Sequence, residues 1–580
     1  MTEGARESID ELSSRPWRQP KRLWLIAVLV SIIVATSVVA PMCFLGCASG
    51  HDFQPHVSQW IEAAGQFKQG IFFPRWAGGA NSGYGEPRFI FYPPGSWMLG
   101  GVLGLLLPWK MVPGAVAWIA FFIATLSSWI FARDWLSPKQ ALTAAILFAI
   151  NPYNLTLVFY RSDFAELLAG AFLPFMLAGA FGILKYGWRR IPLLSIGFAA
   201  MWLANAPAGV IASYSLALLL VIAPVLARRV QPLIFGALGM LGGFGLAAFY
   251  LVPAAWEQKW VEIGQAVSPS YDPIHNFLFT RLNDPDFIEF NWKISMIAAG
   301  MILITLLGIV FTFRQRRKWS YSWWLVIALS VACVFLMLPP SSFLWTHLPR
   351  LRFMQFPWRW LLLLGFAFAI LTAAVKGRKR YLWSLTVLLF IGVSAVAIAA
   401  DADWSTDDLT DALNEISAGR GYDGIDGFQP RGAKTEDLDE ESPLIGEVDE
   451  DGDIDTPDPE NVKVDIVSWA PERRVFHASA QDEVTLAPKL LNYPAWQMRV
   501  NGAVVPTETS PETGQILIHL ASGEYQVELQ FQRTRDRLIG GIISLCFAVG
   551  VIVVSIVILI RRPRAIVRAL LRPKRSRCCP

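Results

Sequence analysis

Acidic residues in two segments of the chain have neighbours suited to proton transfer or metal binding. In segment 50–56 (GHDFQPH), Asp52 follows a long apolar run and has a histidine four residues later. In segment 160–166 (YRSDFAE), Asp163 and Glu166 are three residues apart at the start of a predicted helix, so they share one face of it. Such carboxylates serve as general bases or metal ligands. Solvation at a membrane interface and simple helix capping remain open as alternatives.

Arginines beside aromatic residues are candidates for binding a lipid phosphate. Segment 351–360 (LRFMQFPWRW) places Arg352 and Arg359 close to the start of a predicted span. Arginine at such a place acts either as an interfacial anchor or as a bidentate ligand of phosphate. Arg161 is a local ion-pair partner for the nearby acids. The remaining candidates for substrate contacts lie in the loop 46–112 or in segment 160–166 and are His51, His56, Arg75, Tyr92 and Tyr160.

The composition requires a membrane-embedded scaffold for these residues. Of 580 residues, 54% are hydrophobic and only 17% are charged, against about 25% charged in an average soluble protein. The mean hydropathy is +0.42, and apolar runs of about 20 residues, the length that crosses a bilayer as a helix, recur along the chain. A purely soluble, disordered or fibrous protein is excluded. The six cysteines form neither a metal-ligand spacing nor a disulfide framework.

We predict a polytopic α-helical membrane protein. About twelve spans are expected, at 24–45, 113–132, 139–158, 165–184, 191–206, 209–227, 232–254, 295–313, 321–339, 359–376, 381–400 and 538–560. Lys and Arg in alternate connections put those loops and both termini in the cytoplasm. The candidate residues then all lie at the opposite, outer face. The short apolar piece 95–107 is predicted to dip into the outer leaflet and return, with a full crossing as the alternative.

The chain divides by charge into a membrane part and an outer part. We expect a cytoplasmic N-terminus (1–23), a transmembrane domain (24–400) with an outer loop (46–112), an acidic and poorly ordered outer segment (401–460), an outer β domain (461–537), a last helix (538–560) and a basic cytoplasmic tail (561–580). The acidic segment has 21 Asp or Glu against three Lys or Arg, and too few large apolar residues for a core of its own.

Alternating apolar residues predict strands before the last helix. Segments 516–520 and 525–531 both show a period of two, and Ser522-Gly523 between them is a turn signal. We predict that they form a β-hairpin within a small antiparallel sandwich next to the last span. Such a domain binds a substrate or packs as a lid over the outer surface.

Taken together, several of these segments resemble the GT-C superfamily of membrane glycosyltransferases. The resemblance is carried by His51-Asp52, by segment 91–94 (FYPP), by Tyr160-Arg161 with Glu166, by 356–360 (FPWRW) and by 493–496 (YPAW). More narrowly, the chain is similar to bacterial membrane proteins labelled as 6-pyruvoyl-tetrahydropterin synthase-related. No pterin chemistry follows, because the sequence contains no zinc-binding set of histidines.

The resemblance implies an activity and roles for the candidate residues. Members of the superfamily use a polyprenyl-phosphate-linked sugar at the outer face, with an acid of the first loop as base. It implies that Asp52 is this base, that Asp163 and Glu166 form the second acidic pair, and that Arg161, Arg352 or Arg359 binds the lipid phosphate. A bacterial inner membrane is the implied location, with membrane lipids as further partners. The sequence leaves open whether Mg²⁺ or Mn²⁺ held by the three acids, or arginine alone, supplies the positive charge.

Other functions are weighed against this one. The short cytoplasmic connections contain no Walker-type glycine loop, so neither direct nucleotide binding nor nucleic-acid binding is expected. A transporter or flippase of lipid-linked glycans is disfavoured, because the centres of the twelve predicted spans contain no ionisable residue. A non-catalytic protein of envelope assembly stays open.

Overall fold

The computed structural model describes residues 21–280, 285–313, 320–376, 380–405, 407–449 and 452–570. These residues are mainly helical up to residue 417, largely β-stranded between residues 445 and 531, and helical again from residue 535. Only the last three residues of the predicted N-terminal segment 1–23 are described, and residues 571–580 of the predicted tail lie outside the described part.

The helical part consists of apolar helices joined by short turns. Its first half contains α1 (Lys21–Leu45), α2 (Phe53–Lys68), α3 (Arg88–Phe91), α4 (Pro94–Leu106), α5 (Val112–Ala132), α6 (Pro138–Ala149), α7 (Pro152–Leu155), a π-helix (Thr156–Arg161), α8 (Phe164–Tyr186) and α9 (Ile191–Ala204). Its second half contains α10 (Ala206–Ala227), α11 (Gln231–Leu246), α12 (Ala248–Glu257), α13 (Pro285–Phe313), α14 (Ser320–Leu336), α15 (Ser342–His347), α16 (Leu361–Ala374), α17 (Arg380–Ala400) and α18 (Asp407–Ser417), and α19 (Arg535–Leu570) ends the described chain.

The length and apolar composition of many of these helices identify an integral membrane protein. Within the described ranges, nine helical segments are long and apolar enough to cross a bilayer, or eleven if each of two bent pairs is one crossing. The bends are 71° between α11 and α12, and 94° between α14 and Pro339–His347. Each predicted stretch contains a helix, but the total of twelve crossings stays a prediction. The dip predicted for 95–107 also stays one, although α4 is only 13 residues long.

Helix α16 lies at the centre of the helical bundle. All of its residues are buried, because α6, α13 and α14 pack around it. By contrast, the most apolar stretch of α19 is wholly unburied within the protein. A helix that is hydrophobic on every side either lies inside a bundle, as α16 does, or faces the lipid of a membrane, as we predict for α19. The 3₁₀ turn Pro357–Trp360 directly precedes α16, so this helix fixes the position of Arg359.

Side-chain caps shape the connection between α6 and α8. The Asn151 side chain accepts hydrogen bonds from the backbone N–H groups of Tyr153 (3.0 Å) and Asn154 (3.2 Å) at the start of α7. The π-helix then ends at Ser162, whose φ of 55° is left-handed. Asp163 caps α8 by accepting from the N–H of Glu166 at 2.8 Å. Because π-helical turns are rare and often occur at functional sites, this connection is a candidate site.

Two five-stranded antiparallel sheets form a β domain between residues 445 and 531. Two short strands, β1 (Cys47–Ala48) and β2 (Trp404–Ser405), lie outside this domain. The strands of the domain are β3 (Ile445–Val448), β4 (Ile454–Asp455), β5 (Val462–Ala470), β6 (Arg473–Ala480), β7 (Val484–Pro488), β8 (Trp496–Val500), β9 (Ala503–Val505), β10 (Glu508–Thr509), β11 (Ile516–Leu520) and β12 (Gly523–Phe531). One sheet has the order β10-β11-β7-β3-β4 and the other β5-β6-β12-β8-β9, while β1 pairs with β2 apart from both. The two sheets share one apolar core, as expected of a sandwich.

The hairpin predicted from 516–531 is wrong, although both strands exist. β11 pairs with β7 and β10, whereas β12 pairs with β6 and β8. The turn between them therefore carries the chain from one sheet to the other. The physical reason is that alternation identifies the buried face of a strand but not its partner. Residues such as Ile518 of β11 and Leu529 of β12 pack in the same core from opposite sheets.

Segment 401–460 also differs from its prediction as a poorly ordered region. It contains α18, β3 and β4, and β3 pairs with β7 inside the sandwich. The segment has no core of its own, but Leu409 and Ala412 of α18 are buried in the core of the helical part. The predicted boundary at residue 460 thus divides a single sheet, because composition reports the lack of a core but not packing onto a neighbour.

Candidate active site

The loop that follows α1 contacts the end of the π-helix through Asp52 and Arg161. The carboxylate Oδ2 of Asp52 accepts from Nη2 of Arg161 at 2.5 Å, and the Asp52 N–H donates to the Arg161 carbonyl at 2.8 Å. Next to this pair, the Gly50 N–H donates to Oγ of Ser162 (3.0 Å), and this hydroxyl donates to the carbonyl of Ala48 (2.7 Å). Backbone contacts therefore set the position of the Asp52 carboxylate at the start of α2.

Glycine is required at position 50 by this close approach. A Cβ atom on Gly50 would lie 2.1 Å from the carbonyl oxygen of Tyr160. No side chain fits in that space without a shift of the backbone, so the loop tolerates only glycine here.

A buried cluster of acids and arginines extends inward from Asp52. Nη1 of Arg161 lies 3.3 Å from Oδ2 of Asp163 and 3.4 Å from Oε2 of Glu166. Nε of Arg359 lies 3.1 Å from the same Glu166 oxygen. The side chains of Arg161, Asp163, Glu166 and Arg359 are at most 7% exposed, whereas that of Asp52 is 35% exposed. Asp52 is thus the acid of this cluster that a substrate can reach.

Hydrogen bonds from uncharged groups complete the cluster. Nε2 of His56 lies 3.6 Å from Oδ1 of Asp163, and Nδ1 of His56 lies 3.4 Å from Oγ of Ser96. The Tyr153 hydroxyl donates to Glu166. Burial alone would raise the pKa of Asp163, but Arg161, His56 and Arg359 together hold this pKa well below its ordinary value. Asp163 is therefore a member of the site that is charged at neutral pH.

Tyr92 adds a neutral hydroxyl near the same carboxylates. Its ring centroid is 5.9 Å from that of His56. Burial raises the pKa of Tyr92 well above its ordinary value, and the negative charges of Asp163 and Asp52 raise this pKa further. The phenol stays protonated and can donate a hydrogen bond.

Aromatic rings connect the cluster to an apolar cavity. The ring of His51 lies 5.4 Å from both Tyr160 and Phe290, which stack on each other. The Arg161 guanidinium lies over Trp358 at 4.9 Å. A cavity of about 310 Å³ between α13 and α17 begins at this wall, and its lining includes Tyr160, Phe290, Lys293, Ala397 and Asp401.

The cavity is largely apolar but has a charged group at one end. Nζ of Lys293 is paired with Glu289 at 2.7 Å and with Asp401 at 2.9 Å. This lysine also lies over the Tyr160 ring at 5.2 Å. An ion-paired lysine with two carboxylate partners therefore marks the end of the cavity next to Tyr160.

Two of the predicted substrate-binding residues are not part of this cluster. Arg75 pairs with Glu472 of the β domain through both its guanidinium and its N–H. Arg352 pairs with Asp272 at 2.5 Å and is half exposed. The structure does not bring them into the cluster, because the sequence shows the cation but not the distant carboxylate that pairs with it; their role in substrate binding stays a prediction.

Some members of the site were not predicted. Tyr153 and Ser96 are uncharged, and Trp358 is one of several aromatic residues beside arginine in segment 351–360. The turn signal Asn-Pro at 151–152 is the sequence feature that could have indicated Tyr153.

The residues present do not fit a Mg²⁺ or Mn²⁺ ion. Among the described residues, no group of three or more His, Cys, Asp or Glu side chains is arranged to hold a metal ion. Asp52, Asp163 and Glu166 each contact a guanidinium instead. The positive charge among these acids therefore comes from Arg161 and Arg359.

Comparisons with known proteins were made on sequence and on fold. No family model and no curated protein matches the sequence. The apo oligosaccharyltransferase of Archaeoglobus fulgidus has 14% identity and a TM-score of 0.46, and the match covers 69% of this chain and 59% of that one. The arabinofuranosyltransferase AftD from Mycobacteria has 16% identity and a TM-score of 0.42, over 67% of this chain and 27% of that one.

A third solved structure is AglB from Archaeoglobus fulgidus in complex with an inhibitory peptide and a dolichol-phosphate. It has 13% identity and a TM-score of 0.40, over 70% of this chain and 58% of that one. This chain thus spans less than two thirds of each of the three. At TM-scores below 0.5 these likenesses identify no family, and none of them supports the 6-pyruvoyl-tetrahydropterin synthase-related label.

Proposed function

We propose that this chain is a glycosyltransferase that moves a sugar from a polyprenyl-phosphate-linked donor to an acceptor hydroxyl. The transfer takes place at the outer face of a bacterial inner membrane, and both termini lie in the cytoplasm. The observation that carries the proposal is the partly exposed Asp52 carboxylate, held by Arg161 at the edge of a buried charged cluster. An acid placed in this way is suited to act as a general base.

Asp52 takes the proton in the proposed step. Arg161 engages Oδ2, which leaves Oδ1 to accept the proton of the acceptor hydroxyl. The hydroxyl oxygen then bonds to the anomeric carbon of the donor sugar. Because this is a single displacement, the configuration at that carbon is inverted.

The leaving group is the polyprenyl phosphate. As the bond between the anomeric carbon and the phosphate oxygen breaks, its electron pair passes to that oxygen. Arg161 and Arg359 are the nearby cations that stabilise the developing negative charge. Both are held in place by Glu166, so little reorganisation is needed when the charge forms. No metal ion takes part in this scheme.

The apolar cavity beside Tyr160 supports a lipid-linked donor. Its lining comes from α13 and α17, two predicted membrane-spanning helices, and it is apolar, as an isoprenoid chain requires. The charged end at Lys293 lies on the side of Tyr160 and therefore of the cluster.

The test is Asp52→Asn in the native host, compared with a deletion strain and with Asp482→Asn, which removes an exposed carboxylate of the β domain. Lipid-linked sugars and envelope glycans are measured by mass spectrometry, with protein abundance as control. We expect a lipid-linked sugar to accumulate, and one glycan to lose a residue, in the deletion and Asp52→Asn strains alone. If the deletion changes the glycans but Asp52→Asn does not, Asp52 is no base, and transport or a role in assembly is the better explanation.

A further inference from the structure

A second cavity, of about 320 Å³, lies between α2 and α18. Gln54 and Ser58 of α2 form one wall. The acidic face of α18 and the segment after it form the other, through Asp408, Asp411, Glu415, Tyr422 and Asp423. We name this cavity the outer cleft. It shares no lining residue with the apolar cavity at Tyr160.

The outer cleft is strongly negative. Asp408, Asp411 and Glu415 follow a spacing of three and four residues, so they share one face of α18, and Glu440 adds another carboxylate. Arg420 is the cation in the lining, and its Nη2 is already paired with Glu415 at 2.9 Å. Carboxylates in excess accept hydrogen bonds from hydroxyl or ammonium groups and repel phosphate and uronate.

One polar group of the lining points independently to a ligand. Ser58 is 1% exposed, it lines the outer cleft, and its Oγ has no hydrogen-bond partner within the described part of the chain. Buried hydroxyl groups are normally hydrogen-bonded. Gln54, one helical turn earlier, supplies an exposed amide on the same face of α2.

Hydrogen bonds from other residues hold the walls of the cleft in place. The Tyr422 hydroxyl donates to the buried Glu62 of α2, which also accepts from the N–H groups of Gly78 and Gly79. At the other end, the Ser49 hydroxyl donates to Asp408. The cleft is therefore formed before any ligand binds.

The cleft begins next to the proposed base. Gln54 is two residues after Asp52, and Ser49, which contacts α18, is three residues before it. Tyr160 and the apolar cavity are reached from Asp52 through Arg161. Asp52 thus has the guanidinium groups of Arg161 and Arg359 on one side and the anionic cleft on the other.

On the basis of the proposed function, we propose that the outer cleft binds the acceptor, a saccharide that carries no phosphate or carboxylate near the hydroxyl that receives the sugar. The carboxylates and Ser58 bind its hydroxyl or amino groups and direct one hydroxyl to Asp52. The lipid phosphate is repelled by this side and binds at the arginines. The presence of guanidinium groups on one side and the excess of carboxylates on the other thereby separate donor from acceptor.

The test compares Asp411→Lys with Asp407→Lys. Both residues are exposed and lie on α18, but Asp411 lines the cleft and Asp407 does not. First, mass spectrometry identifies the truncated glycan and the lipid-linked sugar that accumulate in the deletion strain. Then the purified full-length protein transfers this sugar to this glycan at varied concentrations of each. We expect Asp411→Lys to raise the KM for the glycan about tenfold, which corresponds to about 1.4 kcal/mol, with an unchanged KM for the donor.

The outcomes separate the two proposals. If no lipid-linked sugar accumulates in the deletion strain, the proposed function fails, and the acceptor cleft fails with it. If the sugar accumulates but Asp411→Lys behaves like Asp407→Lys, or changes both KM values alike, the cleft proposal fails alone. A truncated glycan that ends in a uronate or a phosphate also overturns the cleft proposal and leaves the transferase intact.

Discussion

Asp52 and Arg161 hold each other through both backbone and side chain. The Asp52 N–H donates to the Arg161 carbonyl, and the Arg161 guanidinium donates to the Asp52 carboxylate. Each residue therefore holds the other in position, and each is the partner of opposite charge for the other. A change at either end should disturb the whole cluster.

Arg161→Ala is expected to destabilise the protein strongly. It would leave Asp163 and Glu166 buried with half of their compensating charge, and breaking a buried ion pair in this way costs about 3 to 5 kcal/mol. Thermal unfolding in detergent measures the loss. Arg189→Ala, which removes an exposed arginine, should melt like the wild type, and equal melting of both variants would contradict the ion-pair assignment.

Gly50→Ala is expected to lower the rate of transfer about a hundredfold while the protein stays folded. The added methyl group meets the Tyr160 carbonyl, so the loop must shift and carry Asp52 away from Arg161. Misplacement of a catalytic group by about 1 Å costs about a hundredfold in rate. The control is Gly65→Ala in α2, where a Cβ meets nothing within 4 Å. This control should keep full activity and gain up to about 1 kcal/mol of stability.

Ala397→Trp is expected to weaken donor binding. The indole would fill much of the apolar cavity and exclude the isoprenoid chain, so the KM for the donor should rise while the KM for the acceptor stays constant. Val396→Trp places the same ring on the neighbouring position, which is 72% exposed and does not line the cavity. Similar kinetics for the two variants would place the lipid elsewhere.

Asp163→Asn is expected to make the melting temperature less dependent on pH in the acidic range. Asparagine keeps the cap of α8 but loses the charge. Because the pKa of Asp163 is lowered in the folded state, its ion pairs stabilise the protein above the ordinary Asp pKa of about 3.9, and this stabilisation is lost as the pH falls towards the lowered value. The melting temperature of the wild type should therefore exceed that of the variant most above about pH 5. A constant difference down to about pH 3 would refute this reasoning.

The helices and most of the charged cluster could be predicted from the sequence. A bilayer imposes a fixed length on an apolar run, so the position of each membrane-spanning helix can be located directly in the sequence. Charged residues at the ends of such runs are conspicuous, because burying them is costly. Asp52, Asp163 and Arg359 were found in this way, although they are far apart in sequence.

Partners across the fold could not be predicted. Arg75 and Arg359 have the same chemistry in the sequence, and only their neighbours, Glu472 for one and Glu166 for the other, separate a structural ion pair from a member of the site. Strand pairing failed for the same reason, since β11 and β12 are adjacent in sequence but belong to different sheets. Uncharged members such as Ser96 gave no signal, because their role comes entirely from what they touch.

The complete burial of α16 has a consequence for how the protein responds to its membrane. Helices that touch lipid tilt or shift when bilayer thickness changes, but α16 is surrounded by protein on every side. The depth of Arg359, just before α16, is therefore set by helix packing and not by the lipids. The cluster is insulated from changes in membrane composition, so the same protein should keep its geometry in thin and thick bilayers alike.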